Sequence, residues 1–149
     1  MKKYGFRLES LLDYKTSLEN KQKQEFSRAL KEYTLQKEIL HTLKTQVQSK
    51  QEDFFAKNKK IRGNQLIQMN FWLDGMRKKI RDHKKKVEEA ENHLYATKKE
   101  MFKLMRERKT LEKLKKKHLA SFKREVIKQN QLIIDDKVSF RYFLDNRKE

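Results

Sequence analysis

The chain has 149 residues, with 39 Lys and Arg against 21 Asp and Glu and a formal net charge of +18. It is 40% charged and 36% hydrophobic, with three glycines, no proline and no cysteine: too few apolar residues for a compact core, and too well patterned for disorder. This excludes disulfides, Cys-type zinc sites and Cys nucleophiles, leaves room for one domain, and favours acidic partners: nucleic acid, anionic lipid or an acidic protein face.

The chain opens KKYGFRLESLLDYK, with Phe6, Leu8, Leu11 and Leu12 making a dense apolar start. No apolar stretch of signal-peptide length follows the first lysines. The longest apolar runs, such as Phe71-Trp72-Leu73, are far shorter than the roughly 18 residues of a spanning helix. An absence of cysteine suits the cytosol.

The first predicted element is a helix over about 6–57. Leu11, Lys15, Leu18, Gln22, Phe26, Ala29, Tyr33, Gln36, Leu40, Leu43, Val47, Lys50 and Phe54 follow a three-four spacing. One four-four step, Leu18-Gln22-Phe26, interrupts it; such inserts locally unwind a coiled coil without ending it.

A turn is predicted over about 58–63, in KNKKIRGN. Gly63-Asn64 is the strongest turn signal, because both residues tolerate positive φ. A short connection implies antiparallel neighbours whose numbers sum to about 123. Phe54 then meets Met69, Val47 meets Met76, Leu43 meets Ile80, Tyr33 meets Ala90 and Leu12 meets Leu111.

The second predicted helix runs over about 64–146. Its seam is Leu66, Met69, Leu73, Met76, Ile80, His83, Val87, Ala90, Leu94, Thr97, Met101, Leu104, Arg108 and Leu111. After a four-four step through Lys115 it resumes at Leu119, Phe122, Val126, Gln129, Ile133, Asp136, Phe140 and Phe143. The expected fold is therefore all-α: two long antiparallel helices forming one coiled-coil hairpin over 1–149, the second helix longer. The excess is about 25 residues, or about 40 Å at 1.5 Å per residue. It leaves Phe122, Val126, Ile133, Phe140, Tyr142 and Phe143 without an internal partner. They point to contact with another molecule; the alternatives are a frayed terminus or a fold-back onto the Phe6–Leu12 segment.

Catalytic chemistry finds no support in the residue pattern. The glycines stand alone at 5, 63 and 75, so no phosphate cradle forms. His41, His83, His93 and His118 lack metal-ligand spacing, and a two-stranded coil has no pocket to enclose an acid–base pair. No enzyme activity, metal or cofactor is expected. RKKIRDHKKK (77–86) and KLKKK (113–117) are the strongest charge clusters. Aromatics do not interleave with them as a base-stacking surface requires, so no specific nucleic-acid binding is expected. Trp72, the only tryptophan, lies beside the seam and reads equally as an interface anchor or as packing against Lys50 or Gln51.

The ordered set FRLESLLDYK, NQLIQMNFWLDGMRKKIRDH and ERKTLEKLKKKH followed by FKREVIKQN, arranged around a basic hairpin, resembles the flagellar FliJ family. The resemblance covers almost the whole chain. It implies a non-enzymatic, stalk-like coiled coil of the flagellar type III export apparatus. The implied partners are the hexameric export ATPase, the membrane export gate protein and export chaperones. The implied location is cytoplasmic, peripheral at the inner face of the cell membrane. It places ATPase binding at Phe6, Leu8, Leu11, Leu12, Phe140 and Phe143, and export-gate binding at Trp72, Met76 and His83. Gly75 and the dense lysines of the latter stretch depart from the family pattern. Two other readings remain open from the residues: a generic structural coil or homodimer, and a basic helix binding anionic lipid or nucleic acid.

Overall fold

The computed structural model describes residues 3–147. Two helices account for its regular structure: α1, Glu9–Lys57, and α2, Gly63–Arg147, packed against each other. The architecture is all-α as expected, with 85 residues in α2 against 49 in α1.

The start of α1 and the two helix ends that flank the reversal each have a local cause. α1 begins at Glu9, three residues later than the apolar pattern suggested. The Glu9 N–H donates to the Phe6 carbonyl at 3.1 Å, closing a turn through Arg7 and Leu8. Tyr4 and Phe6 thereby leave the helical path and lie against α2. At the other end, Asn58 donates both its N–H (3.3 Å) and its Nδ2 (3.0 Å) to the Phe54 carbonyl, satisfying a carbonyl of the last turn.

The reversal itself falls at Asn58–Arg62. Gly63 and Asn64 do not form it with positive φ, as anticipated; no described glycine has positive φ, and Gly63 is the first residue of α2. The Gln65 side chain reaches back to accept the Arg62 N–H at 3.3 Å, while the Arg62 carbonyl accepts from Gln65 N and Leu66 N, both at 3.1 Å. This is the return half of a capping box, made by glutamine three residues into the helix. It holds Gln65 half-buried and leaves Leu66, an expected seam residue, 44% exposed.

The chain divides into two compact units, each built from one stretch of α1 and one of α2. In the unit Glu19–Lys103, the two stretches run antiparallel. Gln22 meets Thr97, Gln36 meets His83 and Lys50 meets Trp72, pairs whose numbers total close to the expected value. Ala29, Met69, Leu73 and Met76 are its buried apolar residues. Two layers of its seam are polar. Gln22 Nε2 donates to the Thr97 carbonyl at 3.2 Å, and His83 Nε2 lies 3.2 Å from the Gln36 carbonyl, which makes Nε2 the donating nitrogen. Each bond crosses the seam to the second lone pair of a helical carbonyl, and so favours this register over a slipped one.

In the unit Met1–Leu18 with Leu104–Glu149, the buried apolar residues are Leu12, Leu104 and Leu111. Lys15 Nζ lies 2.7 Å from Glu107 Oε2. Leu12 takes the buried place expected for Leu11, which is 40% exposed.

The seam of α1 is therefore more regular than its apolar residues alone suggest. Leu8, Leu12, Lys15, Glu19, Gln22 and Phe26 alternate four and three apart without a step. Glu19 fills the position that Leu18 was expected to take and is only 1% exposed, its Oε1 3.3 Å from Lys23 Nζ.

Because only one stripe of each helix is covered, every buried leucine carries a sizeable share of the stability. Leu104→Ala and Leu73→Ala are each expected to cost about 2 kcal/mol or more. Phe71→Ala, at 82% exposure, is expected to stay within about 0.5 kcal/mol. Thermal unfolding followed by circular dichroism checks the order.

Candidate functional site

The residues proposed for ATPase contact lie in the unit containing both chain ends. Leu12 is buried between the helices, and Leu11 stands at the edge of the same turn. Phe6 and Leu8 are half-buried. The Phe6 ring lies 5.7 Å from His118, while Tyr4 lies 5.7 Å from His118 and 5.4 Å from Phe122, all in tilted arrangements that suit aromatic quadrupoles. The Tyr4 hydroxyl donates to the Lys115 carbonyl at 3.3 Å. Lys115 Nζ in turn stands 2.9 and 2.8 Å from the two Glu9 oxygens. The opening segment is thus a strap across one turn of α2, fastened by rings on one side and a forked ion pair on the other.

This strap uses the first part of the expected overhang. Phe122 and Val126 are half-buried, and the bare region begins at Ile127. From there to Arg147 every residue is exposed. Ile127 (66%), Leu132 (63%), Ile133 (53%), Ile134 (52%), Val138 (60%), Phe140 (62%), Tyr142 (69%) and Phe143 (57%) face water. Leu132, Ile133 and Ile134 are consecutive, so successive steps of about 100° carry the apolar surface around the helix. Phe140 and Phe143 lie about six turns beyond His118, roughly 33 Å along the axis. The structure therefore does not bring them together with Phe6, Leu8, Leu11 and Leu12.

The residues proposed for gate contact lie in the other unit. Trp72 is half-buried, with Lys50 Nζ 4.1 Å from its ring centroid, a close cation–π contact. Met76 is 7% exposed and belongs to the seam. His83 is half-buried and held by the Gln36 carbonyl. Trp72 and Met76 border an open groove of about 830 Å³ that Ser49, Asp53 and Lys79 also line. Trp72 and Met76 both line this groove, as does Lys50, whose ammonium lies over the Trp72 ring.

No group of three or more His, Asp or Glu side chains suited to a metal ion occurs among the described residues. No helix of the described residues is long and apolar enough to cross a membrane.

The model of one protein family, described as flagellar FliJ protein, matches residues 3–147. The chain belongs to the FliJ family. It is accordingly a component of the flagellar export apparatus, in a family that is not catalytic. No curated protein and no solved structure matches it.

In this FliJ-family chain the opening segment does meet the start of the overhang, at Phe122, but through Tyr4 and His118, whose roles the sequence reading missed along with the seam role of Glu19. The aromatic cluster had a signal: Tyr4 and Phe6 are two apart, and His118 and Phe122 four apart, so each pair shares a face once the opening is extended and α2 helical. Glu19 had one too, in the four-three ladder through Lys15 and Gln22.

The Glu9 carboxylate raises the pKa of Lys115 above its ordinary value of 10.5, chiefly through their hydrogen bond and against a smaller desolvation effect. A raised lysine pKa stabilises the folded form fully below the unfolded value and loses that contribution as pH rises through the folded one. The strap is therefore expected to hold at neutral pH and to loosen above about pH 10.5. Melting temperatures at alkaline pH should fall further for the native chain than for Lys115→Met, which lacks the titrating group.

Proposed function

We propose that this chain binds the hexameric export ATPase through the bare continuation of α2, raises its hydrolysis rate, and couples it to the membrane export gate protein and to export chaperones. The observation that carries the reading is the run 127–147. A chain that is 40% charged leaves a whole helical segment with eight or more large apolar residues in water. Surface of this kind on a soluble helix is ordinarily covered by a partner. A segment apolar around much of its circumference suits a surrounding partner, as the centre of a ring provides. Membership of a flagellar export family makes the export ATPase the ring this reading favours.

Phe140 and Phe143 are the contact residues of this reading. Leu11 can add apolar area, while Leu12 acts by holding α1 to α2 beneath it. Phe6 and Leu8 act by fixing the strap. The gate contact is assigned to the groove at Trp72, with Met76 lining it and His83 held in the seam by the Gln36 carbonyl. Placement at the inner face of the membrane follows in this reading from the gate contact. The role is mechanical: a charged helix pair that links two larger bodies and performs no chemistry.

Truncation after Val126 removes the bare segment and keeps both the strap and every buried apolar residue. The truncated chain is expected to stay helical and to lose its stimulation of purified export ATPase. Phe140→Ser with Phe143→Ser is expected to weaken ATPase binding about tenfold or more, since each ring gives up its burial. Unchanged stimulation by both variants would remove the ATPase reading. Light scattering covers the competing homodimer: a mass of 18.3 kDa supports the stalk, and a concentration-dependent doubling supports the dimer.

A further inference from the structure

The connection between α1 and α2, with the helix ends beside it, forms a surface that neither the seam nor the ATPase contact uses. From Phe54 to Leu73 the chain carries Lys57, Lys59, Lys60 and Arg62 and no acidic residue. The same stretch leaves Phe55 (62%), Ile61 (40%), Leu66 (44%), Ile67 (68%) and Phe71 (82%) exposed. Phe71 is the most exposed large apolar side chain among the described residues. Phe54 takes the seam side of α1, and Phe55 meets it edge-on at 5.4 Å while projecting outward. On α2, Ile67 and Phe71 are one turn apart and share the outer face. That line continues through Asp74 to Lys78, Arg81 and Lys85, all exposed. Asp74 is paired with Arg77 at 3.2 Å.

We propose that this end of the helix pair docks directly on an anionic lipid bilayer. Phe55, Ile61, Ile67 and Phe71 enter the boundary between headgroups and acyl chains. Lys57, Lys59, Lys60 and Arg62 bind lipid phosphates around them. Apolar insertion and basic attraction are the two signals that peripheral anchoring requires, since either alone is marginal. The charge sign selects an anionic surface: four basic residues stand in twenty without an acid, and of the flanking Glu52, Asp53 and Asp74 the last is paired with Arg77. The apolar groups splay from two helix ends and the connection between them. A bilayer yields to such a protruding end, whereas a protein partner would need a matching cup. Direct lipid contact requires no gate protein, so it goes beyond the gate reading and stands or falls separately.

Trp72, the only tryptophan, lies within this end and reports on it. The full chain, at physiological salt, is mixed with vesicles of phosphatidylcholine, alone or with phosphatidylglycerol, and with acyl chains brominated in a parallel series. Phosphatidylglycerol vesicles are expected to shift Trp72 emission to the blue and, when brominated, to quench it; phosphatidylcholine alone should do neither. Phe55→Ser with Phe71→Ser is expected to weaken partitioning about tenfold or more at unchanged helicity, while keeping ATPase stimulation. Lys59→Glu with Lys60→Glu should weaken it similarly, and Lys116→Glu with Lys117→Glu should change it less than about twofold. Undiminished binding by the double serine variant overturns the proposal in favour of general charge adsorption, as does an equal loss on reversing Lys116 and Lys117. Emission that responds to soluble polyglutamate and not to any vesicle overturns it in favour of an acidic protein face.

Discussion

A helix whose apolar residues form one stripe can bury them only against another stripe. In this chain each helix has only the other to offer, and that constraint organises the described structure. Proline is absent, so nothing interrupts the backbone, and each helix runs as long as its side chains tolerate. α1 ends where Asn58 satisfies the Phe54 carbonyl; α2 starts where Gln65 satisfies the Arg62 N–H. Between these two local bonds the chain turns back, and the stripes meet.

The stripe is not uniformly apolar, and its exceptions are informative. Gln22 and His83 each reach across to a backbone carbonyl of the facing helix, and Lys15 reaches Glu107. Leucine at every such place would pack in several registers with little difference between them. A polar side chain that finds its acceptor at one offset only distinguishes that offset from its neighbours. Thr97 shows the economy of the arrangement. Its carbonyl accepts from Gln22, while its own hydroxyl donates to Leu94 at 2.9 Å, so a buried hydroxyl brings no unmet donor.

Most of the fold could be read from spacing. Met69, Leu73, Met76, Leu104 and Leu111 were expected in the seam and are buried there. Helix spacing is local and repeats many times, so single departures do not hide it. What spacing could not show was set by contacts between distant residues or by a preference for apolar assignments. The start of α1 moved from Phe6 to Glu9 because Tyr4 and Phe6 find rings on α2 more than 110 positions away, which no local pattern encodes. Glu19 holds the seam place of Leu18 although carboxylates seldom lie in a seam, and with it the four-three ladder runs without a step. The candidate surfaces were legible in kind but not in grouping. Phe140 and Phe143 are as bare as expected. Their separation from Phe6 follows from the rise of a helix that continues past the strap.

The uncovered stretch from Ile127 to Arg147 also bears on how the chain behaves while no partner holds it. Adjacent copies would gain by laying these greasy cylinders side by side. What opposes them is the excess of 18 positive charges on each copy, whose mutual repulsion is felt over about one Debye length and shrinks as ions are added. The lysines that look superfluous to the fold thus act as a colloidal buffer, keeping a bare apolar surface dispersed in water.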